Sequence, residues 1–179
     1  MKKRIVWFNL LIAVIAVLNA GAAGATETAQ ALMANATGEA TTAHKDVLVV
    51  FHASWCGWCK KFDAMLEDKN VGPVIARHFV VVQIDVLEVG KKVSLNTPGG
   101  SEVMAAVGGK GQGLPFLAML DSAGHPIVNS IRQPGGENIG YPVKPEEIEW
   151  FMTMLKRSAP DLEQSDALTV RKWLQNHAR

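Results

Sequence analysis

Unbroken apolar runs alternate along the chain with apolar residues at helical spacing. Residues 47–51, VLVVF, and 79–86, FVVVQIDV, are rich in β-branched and aromatic side chains. The unbroken run at 47–51 suits a strand buried on both faces, as in a parallel sheet, and 79–86 reads as a second strand. Between them, Phe62, Met65 and Leu66 stand at i, i+3 and i+4, the stripe of a helix. Asn70 is placed to cap a second short helix through 71–78. Strand, helical crossover and strand make a right-handed βαβ unit. Residues 114–120 and 126–132 flank the turn-forming DSAGH, which predicts an antiparallel hairpin. Trp150, Phe151, Met154 and Leu155 predict a helix after Pro145, and Leu168, Trp173 and Leu174 a last one over 165–176. The predicted order is β-α-(α)-β-α-β-β-α followed by an extra C-terminal helix.

Two segments are less regular. Residues 94–113 hold many glycines and one short helical stretch, 101–107. The glycines follow neither phosphate-binding pattern and read as backbone punctuation. Residues 26–45 are rich in Ala and Thr and read as a lead-in with at most one short helix.

The N-terminus changes where the protein is expected to work. Residues 1–25 carry a basic start, an apolar run from Ile5 to Ala20 and small residues. Ala20-Gly21-Ala22 and Ala23-Gly24-Ala25 both fit a small-x-small cleavage site, so this is a signal peptide in form. The mature chain is then periplasmic or secreted. Membrane anchoring through an uncleaved N-terminus is the alternative, although Asn9 and Asn19 interrupt a run somewhat short of the ~20 residues a span needs. The body of the protein is then 46–179, one domain with a C-terminal helical extension. Of 18 basic residues, Lys2, Lys3 and Arg4 lie in that leader, leaving 15 against 17 acidic ones. No basic cluster follows, which argues against a nucleic-acid partner.

The only two cysteines, Cys56 and Cys59, sit in WCGWCKK, directly after the first strand run. A structural zinc site needs four ligands, and the five histidines are scattered with no paired spacing, so no metal site is expected. A structural disulfide would close too short a loop to stabilise much. A redox couple fits better. The pair falls between a strand and a helix, which puts Cys56 at the helix N-terminus. There the dipole and free N–H groups favour a thiolate, and such positions lower a thiol pKa from about 8.5 to between ~3.5 and ~7.5. Cys56 is then expected to be the exposed nucleophile, and Cys59 the more buried resolving thiol.

Strand, W-C-x-x-C-K, helix and a later x-Pro-strand at Pro115 together resemble the thioredoxin superfamily over roughly 46–159. Residues 62–86 and the stretch NIGYPVKPEEIEWFM look like its secreted members, and 62–86 also like the C-terminal periplasmic domain of the transmembrane thiol:disulfide interchange protein. The resemblance implies an α/β fold with a central mixed four-stranded sheet flanked by helices. It also implies that Pro115 is the cis-proline beside the cysteines, whose loop helps bind substrate. Two departures stand out. Val50 occupies the position of a buried aspartate that serves the second thiol in thioredoxin, and Gly57-Trp58 replaces glycine-proline. His52 lies on the same strand face as Val50 and is the candidate to stabilise the Cys56 thiolate or relay a proton for Cys59; the alternative is a packing role. Trp55 is expected as an exposed aromatic at the site, and Trp58 either shields Cys59 or widens the contact. Lys60 and Lys61 read as a solvated face, and Trp150 and Trp173 as core anchors.

The expectation is an extracytoplasmic thiol–disulfide oxidoreductase that exchanges disulfides with protein substrates through Cys56 and Cys59. The resemblance points to the reducing direction, with no bound cofactor and with a membrane electron-transfer partner that regenerates the pair. The alternative is a thioredoxin-fold carrier, for example of Cu(I) held through Cys56 and Cys59, although Met104 and Met119 sit in no recognisable ligand pattern.

Overall fold

The computed structural model describes residues 26–178, so the expected signal peptide lies outside the described residues. A four-stranded sheet forms the centre, in the order β2-β1-β3-β4. β1 (Asp46–His52) runs parallel to β2 (Phe79–Asp85) and antiparallel to β3 (Phe116–Leu120), which pairs antiparallel with β4 (Pro126–Asn129). This is the mixed four-stranded sheet that the family resemblance implies. The central strands β1 and β3 are buried almost throughout. β2 is an edge strand, and Val81 on it is exposed. The run at 79–86 is therefore covered unevenly, which burial on both faces would not give.

Residues expected as a lead-in form α1 (Ala29–Ala43), a full helix of 15 residues. Thr28 caps it by accepting the Ala31 amide at 3.2 Å. Ala29, Ala36 and Ala40 are its buried face, and they lie in the core formed on one side of the sheet. Their short side chains give little periodic signal but let a helix lie close to β1 and β2. Asn70 does not cap the next helix. α3 (Gly72–His78) begins after Val71, and Asp68 Oδ1 accepts the amides of Asn70 and Val71 at 2.9 and 3.1 Å. The acid two residues upstream makes the turn, so Asn70 is not the cap. Gly72 is required there, because a Cβ would stand 2.4 Å from the Leu66 carbonyl oxygen.

α2 (Gly57–Leu66), α4 (Gly100–Ala106), α5 (Pro145–Ser158) and α6 (Gln164–Asn176) complete the helices. A 3₁₀ turn at Gly90–Leu95 has no counterpart in the predicted order. Strand alternation divides the interior in two. Leu48, Val50 and Leu117 face Phe62 of α2 and Phe151 of α5, whose rings meet edge to face at 5.9 Å. Val47, Val49 and Phe51 face α1 and Met104 of α4. Trp150 is buried and donates its Nε1–H to the Asn129 carbonyl at 3.1 Å, which ties α5 to β4. Trp173 is only half-buried, because it stands at the rim of the same core. Among the described residues no helix is long and apolar enough to cross a membrane.

Candidate active site

The C-terminal end of β1 delivers Ala53, Ser54 and Trp55 to a tight turn, and Cys56 follows as the N-cap of α2. Its Sγ accepts the Cys59 amide at 3.1 Å, so the sulfur takes the place of a capping oxygen. Gly57 opens the helix with nothing near its missing side chain. Cys56 and Cys59 are joined as a disulfide. The expected contrast in exposure is nearly absent, since Cys56 is 3% and Cys59 1% exposed. Both pack with Ala53 and against Leu114, and the exposed surface around them belongs to Trp55 and Trp58. Leu114 precedes Pro115 through a cis peptide bond, so the Pro115 loop lies beside the cysteines.

One flank is built from the loop after β2. Glu88 is 4% exposed, and its carboxylate accepts the Ser54 amide at 2.5 Å and the Ser54 hydroxyl at 3.0 Å. Lys92 Nζ donates to the same hydroxyl at 3.0 Å. Asn96 Oδ1 accepts the Glu88 amide at 3.0 Å. Trp55 donates its Nε1–H to the Leu87 carbonyl at 3.0 Å, and Leu87 itself sits in the left-handed region at φ 58°. Four side chains thereby fix the turn that presents Cys56. The sequence reading missed Glu88 and Asn96. The available signal was a carboxylate two residues past the strand run of 79–86.

The other flank comes from the segment between β4 and α5. Asn138 Nδ2 donates to the carbonyls of Gly113 at 2.8 Å and Pro115 at 3.2 Å, and its Oδ1 accepts the Gly140 amide at 3.1 Å. The side chain thus staples this segment to the Pro115 loop. Tyr141 follows, with its ring stacked on Trp58 at 6.0 Å and edge-on to Trp173 at 6.4 Å. Lys61 Nζ lies 4.6 Å from the Trp58 ring centre, so it does more than face solvent. Trp58 is 46% exposed over this flank. Between Trp58, Gly113 and the 137–147 segment runs a groove of about 550 Å³.

Beneath α2 lies a polar cluster. His52 Nε2 is 3.4 Å from Asp85 Oδ1 on the paired strand. Asp63, one turn beyond Cys59 on α2, accepts from Gln83 Nε2 at 2.7 Å. Burial pushes the Asp63 carboxyl above its ordinary pKa, against the opposing pull of His52 and the Gln83 hydrogen bond. Asp63 was not singled out from sequence, although its spacing four residues from Cys59 was visible. Val50 is wholly buried among apolar side chains. Met104 and Met119 are core residues, Met104 on one sheet face and Met119 on the other. Neither belongs to the cluster that holds the cysteines.

A family model described as thioredoxin-like matches residues 28–122. The chain belongs to the thioredoxin-like family. Helix α1 falls inside the match, in keeping with its place in the thioredoxin-like core. A protein disulfide-isomerase of Triticum aestivum is 30% identical over 164 residues, covering 85% of this chain and 28% of that protein. The chain therefore spans little more than a quarter of that relative's length. Among solved structures, a disulphide isomerase from Xylella fastidiosa Temecula1 superposes with TM-score 0.50 at 20% identity, over 97% of this chain and all of that one. The C-terminal domain of Neisseria meningitidis DsbD in the oxidised form gives TM-score 0.44 at 25% identity, over 73% of this chain and 99% of that one.

Proposed function

We propose that the protein is an extracytoplasmic thiol–disulfide oxidoreductase that reduces disulfides in protein substrates. The observation that carries this reading is the Cys56–Cys59 disulfide at the start of α2, with Cys56 as its N-cap and Leu114 packed beside it. In the reduced protein the helix N-terminus favours a Cys56 thiolate. That thiolate attacks one sulfur of a substrate disulfide, and the other substrate sulfur leaves as a thiol after taking a proton. Cys59 then loses its proton and attacks Cys56 Sγ. The second substrate thiol departs, and the Cys56–Cys59 disulfide closes. Two electrons have passed to the substrate, and no bound cofactor takes part. A dithiol partner, held at the membrane, restores the reduced pair by the same exchange in reverse.

The surrounding residues take distinct parts. Trp55, Trp58 and the Pro115 loop form the surface that meets the substrate, and Gly57 keeps the first helical turn open to it. With Val50 apolar, the Cys59 proton falls to His52 and Asp63. The raised Asp63 pKa suits a group that must take up a proton and give it back. The likeness of residues 62–86 to the C-terminal domain of a transmembrane interchange protein supports the reducing direction.

Insulin reduction under dithiothreitol, together with the equilibrium of the pair against glutathione, tests the reading. The protein should accelerate insulin reduction, and Cys56→Ser should lower the rate by more than about 10²-fold. The equilibrium should be strongly reducing. Absence of acceleration would remove the activity, and an equilibrium near that of glutathione or above would reverse the direction.

A further inference from the structure

The turn that presents Cys56 carries a charge couple on its upstream side. Glu88 is 4% exposed, and both of its carboxylate oxygens accept from Ser54, one from the amide at 2.5 Å and the other from the hydroxyl at 3.0 Å. Lys92 is exposed, and its Nζ has only protons to give. The Ser54 hydroxyl therefore accepts from Lys92 at 3.0 Å while donating to Glu88. One hydroxyl separates a buried negative charge from an exposed positive one. Lys91, next in the chain, is exposed and makes no hydrogen bond or ion pair among the described residues.

Ser54 and Cys56 belong to one turn, closed by the Cys56 amide on the Ala53 carbonyl at 3.0 Å. Consecutive Cα atoms stand about 3.8 Å apart, so two residues span less than ~8 Å. Glu88 and Cys56 are both buried, and water screens the field between such groups poorly. A negative charge at this range opposes a thiolate, and a positive one favours it. The helix N-terminus pulls the same sulfur towards ionisation. Glu88 thus works against the helix end and Lys92 with it. Ala53 and Leu114, which pack on the cysteines, carry no charge. The other titratable side chains on the elements that meet here are His52 and Asp85 on the strands, Lys60, Lys61 and Asp63 on α2, and Lys110 before the Pro115 loop.

We propose that Glu88 and Lys92 are positioning residues that set the acidity of the Cys56 thiol through Ser54, Glu88 making it a weaker acid and Lys92 a stronger one. A weaker acid at Cys56 stabilises the disulfide relative to the dithiol, which makes the pair a better reductant. The inference deepens the oxidoreductase reading above, on which its consequence for the direction of exchange rests.

The test titrates Cys56 by the ultraviolet absorbance of its thiolate, in a Cys59→Ser background so that one thiol remains. Tyr141, the only tyrosine, does not interfere, because burial pushes its pKa up to about 12. Glu88→Gln keeps an acceptor oxygen and removes the charge. It should raise the ionisation constant of the thiol by about three- to tenfold and keep that shift at high salt. Lys92→Met should lower the constant by about two- to fivefold, and less at high salt. The double variant should fall between the two, and Lys91→Met should shift the constant less than Lys92→Met does. All of these variants leave the six other groups unaltered. In the protein with both cysteines, Glu88→Gln should also make the pair less reducing against glutathione. A turn merely damaged by substitution would move the constant the same way in both single variants. That result, or no shift in either, would overturn the couple. Lys92 lies on the surface, so its variant decides the matter even where Glu88→Gln does not fold. Should the expected titrations appear in a protein that does not reduce insulin, the couple stands and the oxidoreductase reading falls.

Discussion

On one flank of the disulfide, both oxygens of the Glu88 carboxylate are occupied by Ser54, and Asn96 and Lys92 close the network around them. On the other, Tyr141 keeps a buried hydroxyl without a partner, and Glu137 a carboxylate without a cation, among the described residues. The first flank turns its apolar side chains outward: Trp55, Leu87, Val89, Val93 and Leu95 are all exposed. The second turns a groove of mixed polarity outward. Pairing within the protein makes the first flank a rigid frame, and the second flank is less completely paired.

Breaking the frame should have the largest effect. Glu88→Ala leaves the Ser54 amide and hydroxyl without their buried acceptor and opens space beneath the turn. We expect a loss of about 2–3 kcal/mol of stability, read from urea denaturation. Glu88→Gln keeps one acceptor oxygen and should lose less. If Glu88→Ala unfolds at the same urea concentration as wild type, the frame is not holding the turn. Disulfide turnover should also fall in Glu88→Ala, since Ser54 is two residues from Cys56.

What the chain disclosed by itself divides along the same line. The strands, the helices after the cysteines and the redox pair follow from local rules, an apolar run or a helical stripe or two thiols at a helix start. Val47 to Phe51 could be read as a buried strand because every position is apolar. Helix α1 was hidden, because a face of Ala29, Ala36 and Ala40 carries almost no hydrophobic contrast. The flanks were hidden for a different reason. Glu88 meets Ser54 across 34 residues and Asn138 meets Gly113 across 25, so the pairs exist only once the sheet is assembled. A single polar residue in a loop gives no sign of which distant amide it will satisfy. Trp173 misled as a core anchor because a helical stripe cannot tell the centre of a core from its rim.

A smaller loss should follow from the staple that joins the two sides of the groove. Asn138→Ala removes two bonds to the Pro115 loop and one to Gly140. Being partly exposed, these should contribute about 1–2 kcal/mol together, seen as a shift of the urea midpoint. The comparison predicts a sharper functional result. With the Pro115 loop loosened, the protein should lose protein-disulfide turnover more than small-disulfide turnover, whereas Glu88→Ala should lower both alike. Equal losses in Asn138→Ala would mean that the loop is not part of substrate recognition.

The smallest effect on stability is expected at Asp63, which belongs to neither flank and tests whether an imperfectly paired acid stands on α2 one turn beyond Cys59. Burial raises its pKa from 3.8, with Glu67 and Asp85 acting in the same direction and His52 and Gln83 against it. The native state therefore holds this proton more tightly than the unfolded chain does. Ionising Asp63 costs stability as pH rises from the unfolded value through the folded one. Asn cannot ionise, so Asp63→Asn should gain on wild type as pH rises from 3.8 through the raised folded-state value and hold a constant advantage above it. Solvent reaches this side chain, which limits the gain to less than about 1 kcal/mol. The same variant should slow closure of the Cys59 step and move the pH dependence of turnover, because one of the two groups proposed to take its proton is gone. A stability difference that stays flat from acid to neutral pH would show that Asp63 ionises as freely in the fold as in the open chain, and His52 would be left as the candidate for that proton.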